Sequence, residues 1–119
     1  MHHKKLVSKL LSSFTVVCMA FLLTMLTTGV SYGLNHSSNI TSNETWYAAD
    51  NPHVVSGGIH VYSSATLTIE KGCVVKFDAG AALYIGYYSA ATLNAVGTED
   101  ASITFTSNTG SPAPADWYG

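Results

Sequence analysis

The chain has 119 residues, 47% of them hydrophobic and 10% charged, and its formal net charge is −2. This length allows at most one domain. All five of its cations are lysines, and a chain with so few cannot neutralise a row of phosphates, which disfavours nucleic-acid binding.

Residues 1–33 have the order of a secretory signal peptide. Three lysines within the first nine residues precede an uncharged apolar run over residues 10–26, and Ser31 and Gly33 supply the small-x-small pattern of a cleavage site. We predict a signal-peptide helix, cleavage after Gly33 and a secreted or cell-surface location. An uncleaved membrane anchor is the alternative. It is less favoured because a membrane span needs about 20 apolar residues.

Removal of this segment changes the charge balance. Residues 34–119 retain Lys71 and Lys76 against seven carboxylates, so their net charge is −5. We therefore expect no binding to anionic membranes after cleavage. Cys73 is the one cysteine left, which excludes an internal disulfide, and its position beside Val74 favours a small buried apolar residue.

The segment that follows the cleavage site is polar. Residues 34–45 are dense in Asn, Ser and Thr and contain few apolar residues. This composition is typical of a flexible linker, so we predict a flexible leader over 34–45 and the start of the fold at residue 46.

From Ile59 onward, short apolar-x-apolar triplets alternate with turn residues, which predicts strands with one buried face. No stretch has helical periodicity. The paired apolar positions are Ile59 and Val61, Leu67 and Ile69, Val75 and Phe77, Leu83 and Ile85, Leu93 and Ala95, and Ile103 and Phe105.

Every third triplet is similar. Ile59 and Leu83 are 24 residues apart, Leu67 and Leu93 are 26 apart, and the spacing from the Val75 triplet to the Ile103 triplet is 28. A repeat of three short strands is typical of a solenoid in which each strand stacks on its equivalent one coil later. The pattern predicts an all-β, parallel β-helix. An antiparallel sandwich has similar strand spacing, but it would show self-similarity at two strands and short Asn-Gly or Asp-Gly turns.

Longer stretches resemble a known family. The runs 51–61, 65–77 (ATLTIEKGCVVKF) and 103–107 are similar to the opening of bacterial secreted right-handed β-helix repeat proteins, and Trp117-Tyr118-Gly119 resembles the G-x-W-x-G-I element that follows there. The resemblance covers about residues 46–119. It implies a right-handed β-helix and no particular activity, because unrelated activities share this architecture. Lys71 departs from the family, which often has proline at this turn.

The six triplets amount to about two coils. Solenoids usually need three or more repeats to bury one another's apolar faces. We therefore expect the natural protein to continue past Gly119, with downstream coils of the same chain as partners of the last strands.

The residues do not form a catalytic or metal-binding pattern. Four carboxylates fall in turns beside glycine, where solvated acidic residues are common. His53 and His60 are seven residues apart, and no third ligand recurs at a spacing that would complete a metal site. We predict no catalytic residues, no metal and no cofactor.

Aromatic residues are the remaining candidates. Tyr84, Tyr87 and Tyr88 surround one predicted strand, and Tyr84 should face outward by strand alternation. Stacked aromatic rings can form a carbohydrate-binding surface, so these three are candidates for contact with a glycan. Trp46 and Tyr47 are predicted to cap the N-terminal end of the solenoid.

Three functional hypotheses remain open. The first is a non-catalytic extracellular or cell-surface module with a structural, adhesive or glycan-contacting role, whose partner is a polysaccharide or cell-surface glycan. The second is the N-terminal part of a polysaccharide lyase or glycoside hydrolase whose active site lies beyond Gly119. The third is a gene fragment without independent function.

Overall fold

A computed structural model describes residues 33–118, so nearly all of the predicted signal peptide lies outside the described residues. Within that range there are nine strands and one short 3-10 helix, and no helix is long and apolar enough to cross a membrane. The elements are β1 (Leu34–His36), β2 (Glu44–Trp46), the 3-10 helix (Ala48–Asp50), β3 (His53–Val55), β4 (Gly58–Val61), β5 (Thr66–Ile69), β6 (Val74–Phe77), β7 (Ala82–Ile85), β8 (Thr92–Ala95) and β9 (Thr104–Ser107).

The strands form three parallel stacks. The first has the order β1-β3-β6-β9, the second β2-β5-β8 and the third β4-β7. Isolated parallel bridges from Ile40 to Val61 and from Ala82 to Tyr118 extend the third stack at both ends. Each strand pairs with its equivalent one coil later, and the predicted pairs Leu67–Leu93 and Ile59–Leu83 are in register. The prediction of a parallel β-helix is confirmed.

The fold begins earlier than predicted. β1, the bridge at Ile40 and β2 form a first coil within the segment assigned to a flexible leader, so residues 34–107 contain three coils and the first strand of a fourth, not two. The prediction failed because aromatic rings fill most of the interior of this coil. His36, Ile40 and Trp46 occupy its inward positions, and a composition rich in Asn, Ser and Thr conceals them.

The asparagines of this segment fasten the first coil to the second. The Oδ1 atoms of Asn39 and Asn43 accept hydrogen bonds from the backbone N–H groups of His60 and Thr66, at 3.0 and 2.9 Å. In the same way Asn51 Oδ1 accepts from the N–H of Val74 at 2.8 Å. Each bond spans one coil, so these side chains satisfy backbone donors where strand pairing begins.

The register of β6 and β9 also differs from the prediction. Val75 pairs with Phe105 and Phe77 with Ser107, a shift of two residues from the expected pairing of Phe77 with Phe105. A two-residue shift keeps the same face inward, so the alternation alone could not reveal it. The ring of Trp117 stacks on Phe77 instead, with centroids 4.0 Å apart, and so covers the position expected for Phe105.

Alternate residues of the strands and a few small or apolar residues beside them fill the interior. Cys73 is among them, as predicted, and burial raises the pKa of its thiol. The second and third coils differ, because Leu67 in the second is fully buried while its partner Leu93 in the third is 40% exposed. The buried apolar residues are Ile40, Trp46, Val55, Ile59, Val61, Ala65, Leu67, Ile69, Cys73, Val75, Phe77, Ala81 and Ala82.

Candidate carbohydrate-binding surface

The three tyrosines proposed from the sequence lie together on the outer face of the β4-β7 stack. Tyr84 lies in β7 and points outward, with 38% of its surface exposed. Tyr87 and Tyr88 follow in the loop after β7 and are 70% and 62% exposed. The ring centroids of Tyr84 and Tyr87 are 6.0 Å apart, and those of Tyr87 and Tyr88 are 5.0 Å apart in an edge-on arrangement.

His60 lies at the centre of this group. Its ring stacks on Tyr84, with centroids 4.6 Å apart and an interplanar angle of 16°. It also contacts Tyr88 at 4.6 Å and Tyr87 at 5.4 Å. Tyr62 joins from the turn after β4, edge-on to Tyr88 at 5.5 Å. We call these five residues, His60, Tyr62, Tyr84, Tyr87 and Tyr88, the aromatic surface.

Sequence reasoning treated His60 only as a weak metal candidate and omitted Tyr62. A signal for His60 was available, because His60 and Tyr84 occupy the same position of two triplets 24 residues apart, and their side chains therefore stack one coil above the other. Tyr62 could not be placed in the same way, because it lies in a turn.

A longer turn in the third coil places Tyr87 and Tyr88. The connection from β4 to β5 spans residues 62–65, and the equivalent connection from β7 to β8 spans 86–91, which is two residues longer. Gly86 starts this loop with φ at +75°, in the left-handed region that favours glycine. Hydrogen bonds from the N–H of Ser63 to Ser89 Oγ and from the N–H of Ser64 to the Ala90 oxygen hold the loop against the coil below.

The surface offers apolar ring faces together with polar groups. Tyrosine presents large apolar area at low cost in side-chain entropy, and its hydroxyl can both donate and accept a hydrogen bond. The buried Nδ1 of His60 has no hydrogen-bond partner in residues 33–118. Exposed aromatic rings that cluster in this way are uncommon on a surface without a binding role. Sugar rings have apolar C–H faces and hydroxyl edges, and they match both features.

Trp46 and Tyr47, which were predicted to cap the N-terminal end, differ in burial. Trp46 is buried inside the first coil, where its ring stacks on His36 at 4.0 Å and on His53 at 5.4 Å. Tyr47 is 53% exposed, and its backbone oxygen accepts a hydrogen bond from His53 Nε2 at 2.8 Å. The ring of Tyr47 therefore lies outside the interior that Trp46 fills.

His53 is fully buried and is hydrogen-bonded through both ring nitrogens. Its Nε2 donates to the backbone oxygen of Tyr47, and its Nδ1 is hydrogen-bonded to His36 Nε2 at 2.9 Å. His36 Nδ1 lies 3.8 Å from Glu44 Oε1, and this oxygen accepts a hydrogen bond from the Trp46 indole N–H at 2.8 Å. Burial, and secondarily His53, lowers the pKa of His36, while Glu44 opposes this change.

Two of the carboxylates, Asp78 and Asp116, accept hydrogen bonds from nearby groups. Asp78 accepts hydrogen bonds from Asn108 Nδ2 and Ser56 Oγ, each at 2.8 Å, and these bonds lower its pKa. Asp116 accepts from the backbone N–H of Ala113, which lowers the pKa of that carboxyl. Within residues 33–118 no three potential metal-ligating side chains come together.

Fold and surface together define a parallel β-helix protein with an aromatic patch on one outer face. A family model described as a pectate-lyase-like beta helix domain matches residues 38–119, and the chain belongs to this family. The match includes most of the first coil as well as the segment that resembles β-helix repeat proteins. Searches of curated proteins and of solved structures find no match to the chain.

Proposed function

We propose that this protein is a non-catalytic, secreted or cell-surface β-helix module that contacts a polysaccharide or cell-surface glycan through the aromatic surface. The observation that carries the proposal is the group of three exposed tyrosines around His60. Membership of a pectate-lyase-like family supports a carbohydrate as the ligand. The predicted signal peptide over residues 1–33 supports export.

The rigidity of the solenoid supports the same role. His60 and Tyr84 lie on paired strands, so the backbone hydrogen bonds of the β4-β7 stack fix the separation of their rings. A surface whose rings are already in place loses little conformational entropy when it binds a chain. An extended polymer could lie across the stack and contact several rings at once.

Affinity electrophoresis tests the proposal directly. The full chain is run through gels that contain a panel of plant and microbial polysaccharides, and we expect at least one of them to retard it. The double variant Tyr87→Ala/Tyr88→Ala should bind about tenfold more weakly or worse, as expected when central aromatic contacts are removed. Tyr47→Ala is the matched control, because Tyr47 is an exposed tyrosine outside the aromatic surface.

Two results would contradict glycan binding by this surface. One is a mobility that no polysaccharide changes. The other is equal retardation of the wild type and the double variant, which would place the contact elsewhere on the molecule.

The family membership also favours a second candidate, the N-terminal part of a polysaccharide lyase or glycoside hydrolase whose active site lies beyond Gly119. Both candidates allow glycan contact by the aromatic surface, and they differ in catalysis. Incubation of the chain with the same polysaccharides should release no new reducing ends under either candidate, so the residues that follow Gly119 separate them. A cluster of Asp, Arg and Lys on one strand stack would favour the enzyme, and repetitive coils with outward Thr, Ser and Asn would favour the non-catalytic module. Product release would overturn the non-catalytic assignment.

A further inference from the structure

We infer that the glycan bound by the aromatic surface is an uncharged polysaccharide and not a polyuronate; this inference rests on the proposed function. It concerns the class of polymer that the surface can accept. It runs against the acidic substrate that the name of the pectate-lyase-like family would suggest.

The first ground is the lack of charge in the two segments that build the surface. Residues 51–69 and 79–98 contain no Asp, Glu, Lys or Arg. They include the whole β4-β7 stack and the loop that carries Tyr87 and Tyr88. His60 is the one basic side chain of these segments that lies within the aromatic surface, and its ring is packed against three tyrosines.

The lysines lie elsewhere. Lys76 belongs to β6, in the β1-β3-β6-β9 stack, where it pairs with Val54 and Thr106. Lys71 lies in the turn between β5 and β6. Proteins recognise carboxylated chains with Arg or Lys side chains that form charge-assisted hydrogen bonds. The aromatic surface contributes no such group.

The second ground is the charge of the chain as a whole. Residues 34–119 carry two lysines against seven carboxylates. This excess of negative charge repels a polyanion that approaches to within the screening length, which is about 8 Å at physiological ionic strength. A neutral chain meets no such repulsion. Its C–H faces can pack on the tyrosine rings, and its hydroxyls can exchange hydrogen bonds with the tyrosine hydroxyls.

The test uses one polymer in two charge states. Polygalacturonate and its carboxyl-reduced form, a galactan, share a backbone and differ in the charge of each sugar unit. They are compared in affinity gels together with neutral β-glucan and glucomannan. We expect the full chain to bind at least one neutral polymer, and to bind polygalacturonate at least about tenfold more weakly than its reduced form. Added salt should leave binding to the neutral polymers unchanged.

Each outcome is decisive for one of the two proposals. Tighter binding of polygalacturonate than of its reduced form, lost in Tyr87→Ala/Tyr88→Ala, would overturn the inference while it supports glycan contact by the aromatic surface. Equal binding of the two forms would also overturn it. Failure to bind any polymer, charged or neutral, would overturn the proposed function itself.

Discussion

The chain places two clusters of histidine and large aromatic rings in opposite environments. In the first coil and at the start of the second, His36, Trp46 and His53 face the interior, and hydrogen bonds join their ring nitrogens to one another, to Glu44 or to a backbone oxygen. In the aromatic surface, the His60 ring is stacked in much the same way, but three of its neighbours face solvent and its Nδ1 has no partner in residues 33–118. Similar side chains are therefore enclosed in the interior in one place and exposed on the outer face in the other.

The comparison predicts that truncation inside the first coil has the largest effect on stability. Trp46→Ala should lower the free energy of unfolding by about 3–5 kcal/mol, because it removes a fully buried indole and leaves Glu44 without its N–H donor. Urea denaturation measures the loss. If the variant does not fold, Trp46→Phe should fold with a smaller loss, and Tyr47→Ala, at the adjacent exposed position, should change stability by less than about 0.5 kcal/mol. Equal losses at positions 46 and 47 would refute the contrast.

A smaller effect is expected where the backbone shapes the aromatic surface. Gly86→Ala should cost about 1–2 kcal/mol, because it places a Cβ at φ +75°. It should also weaken glycan binding by displacing the Tyr87–Tyr88 loop. Gly110→Ala is the control, since Gly110 has open space around it and no positive φ. Thermal unfolding of both variants measures the difference, and a neutral Gly86→Ala would contradict the role assigned to this turn.

His36 should make the stability of the fold depend on pH. Because burial lowers the pKa of His36 in the folded chain, the unfolded state binds more protons between that lowered value and the ordinary 6.5. The stability from this site is thus fully present above pH 6.5 and is lost as the pH falls toward the folded pKa. Urea denaturation at a series of pH values measures this change.

His36→Gln keeps an amide that can donate to His53 and removes the titrating ring. Its stability should depend less on pH over the same interval. If wild type and variant show the same pH dependence, His36 is not the group responsible.

The smallest effect on stability is expected at the aromatic surface itself. Tyr87→Ala/Tyr88→Ala should change the free energy of unfolding by less than about 0.5 kcal/mol, because both rings are mostly exposed. The same variant should lose glycan binding. Calorimetry of unfolding beside affinity electrophoresis measures both quantities on one sample. A large loss of stability would show that the rings serve the fold and not a ligand.

Sequence reasoning succeeded where the interior is aliphatic. The spacings of 24 and 26 residues between similar triplets predicted the pairing of β4 with β7 and of β5 with β8, because Leu, Ile and Val in alternation signal a buried strand face. It failed in the first coil, where His36 and Trp46 take the place of aliphatic residues inside and His36 bonds to His53 of the next coil. It also failed at β9, where the expected pairing of Phe77 with Phe105 does not occur. Phe77 pairs with Ser107, and the ring of Trp117 stacks on Phe77.

The candidate site was predictable in part for a related reason. Strand alternation predicts that Tyr84 points outward, and Tyr87 and Tyr88 follow closely in the chain. Both observations depend only on local sequence. The contribution of His60 depends on the register of two strands one coil apart, and that of Tyr62 on how a loop folds back over the coil below. Such contacts between coils require the three-dimensional arrangement.

The two extra residues between β7 and β8 bear on how such a molecule can change over generations. Because pairing between coils runs along the strands, a connection can gain residues at the periphery while the strand register on both sides is conserved. Residues can therefore be inserted in one connection, and change the outer surface there, while the strands and the core keep their arrangement.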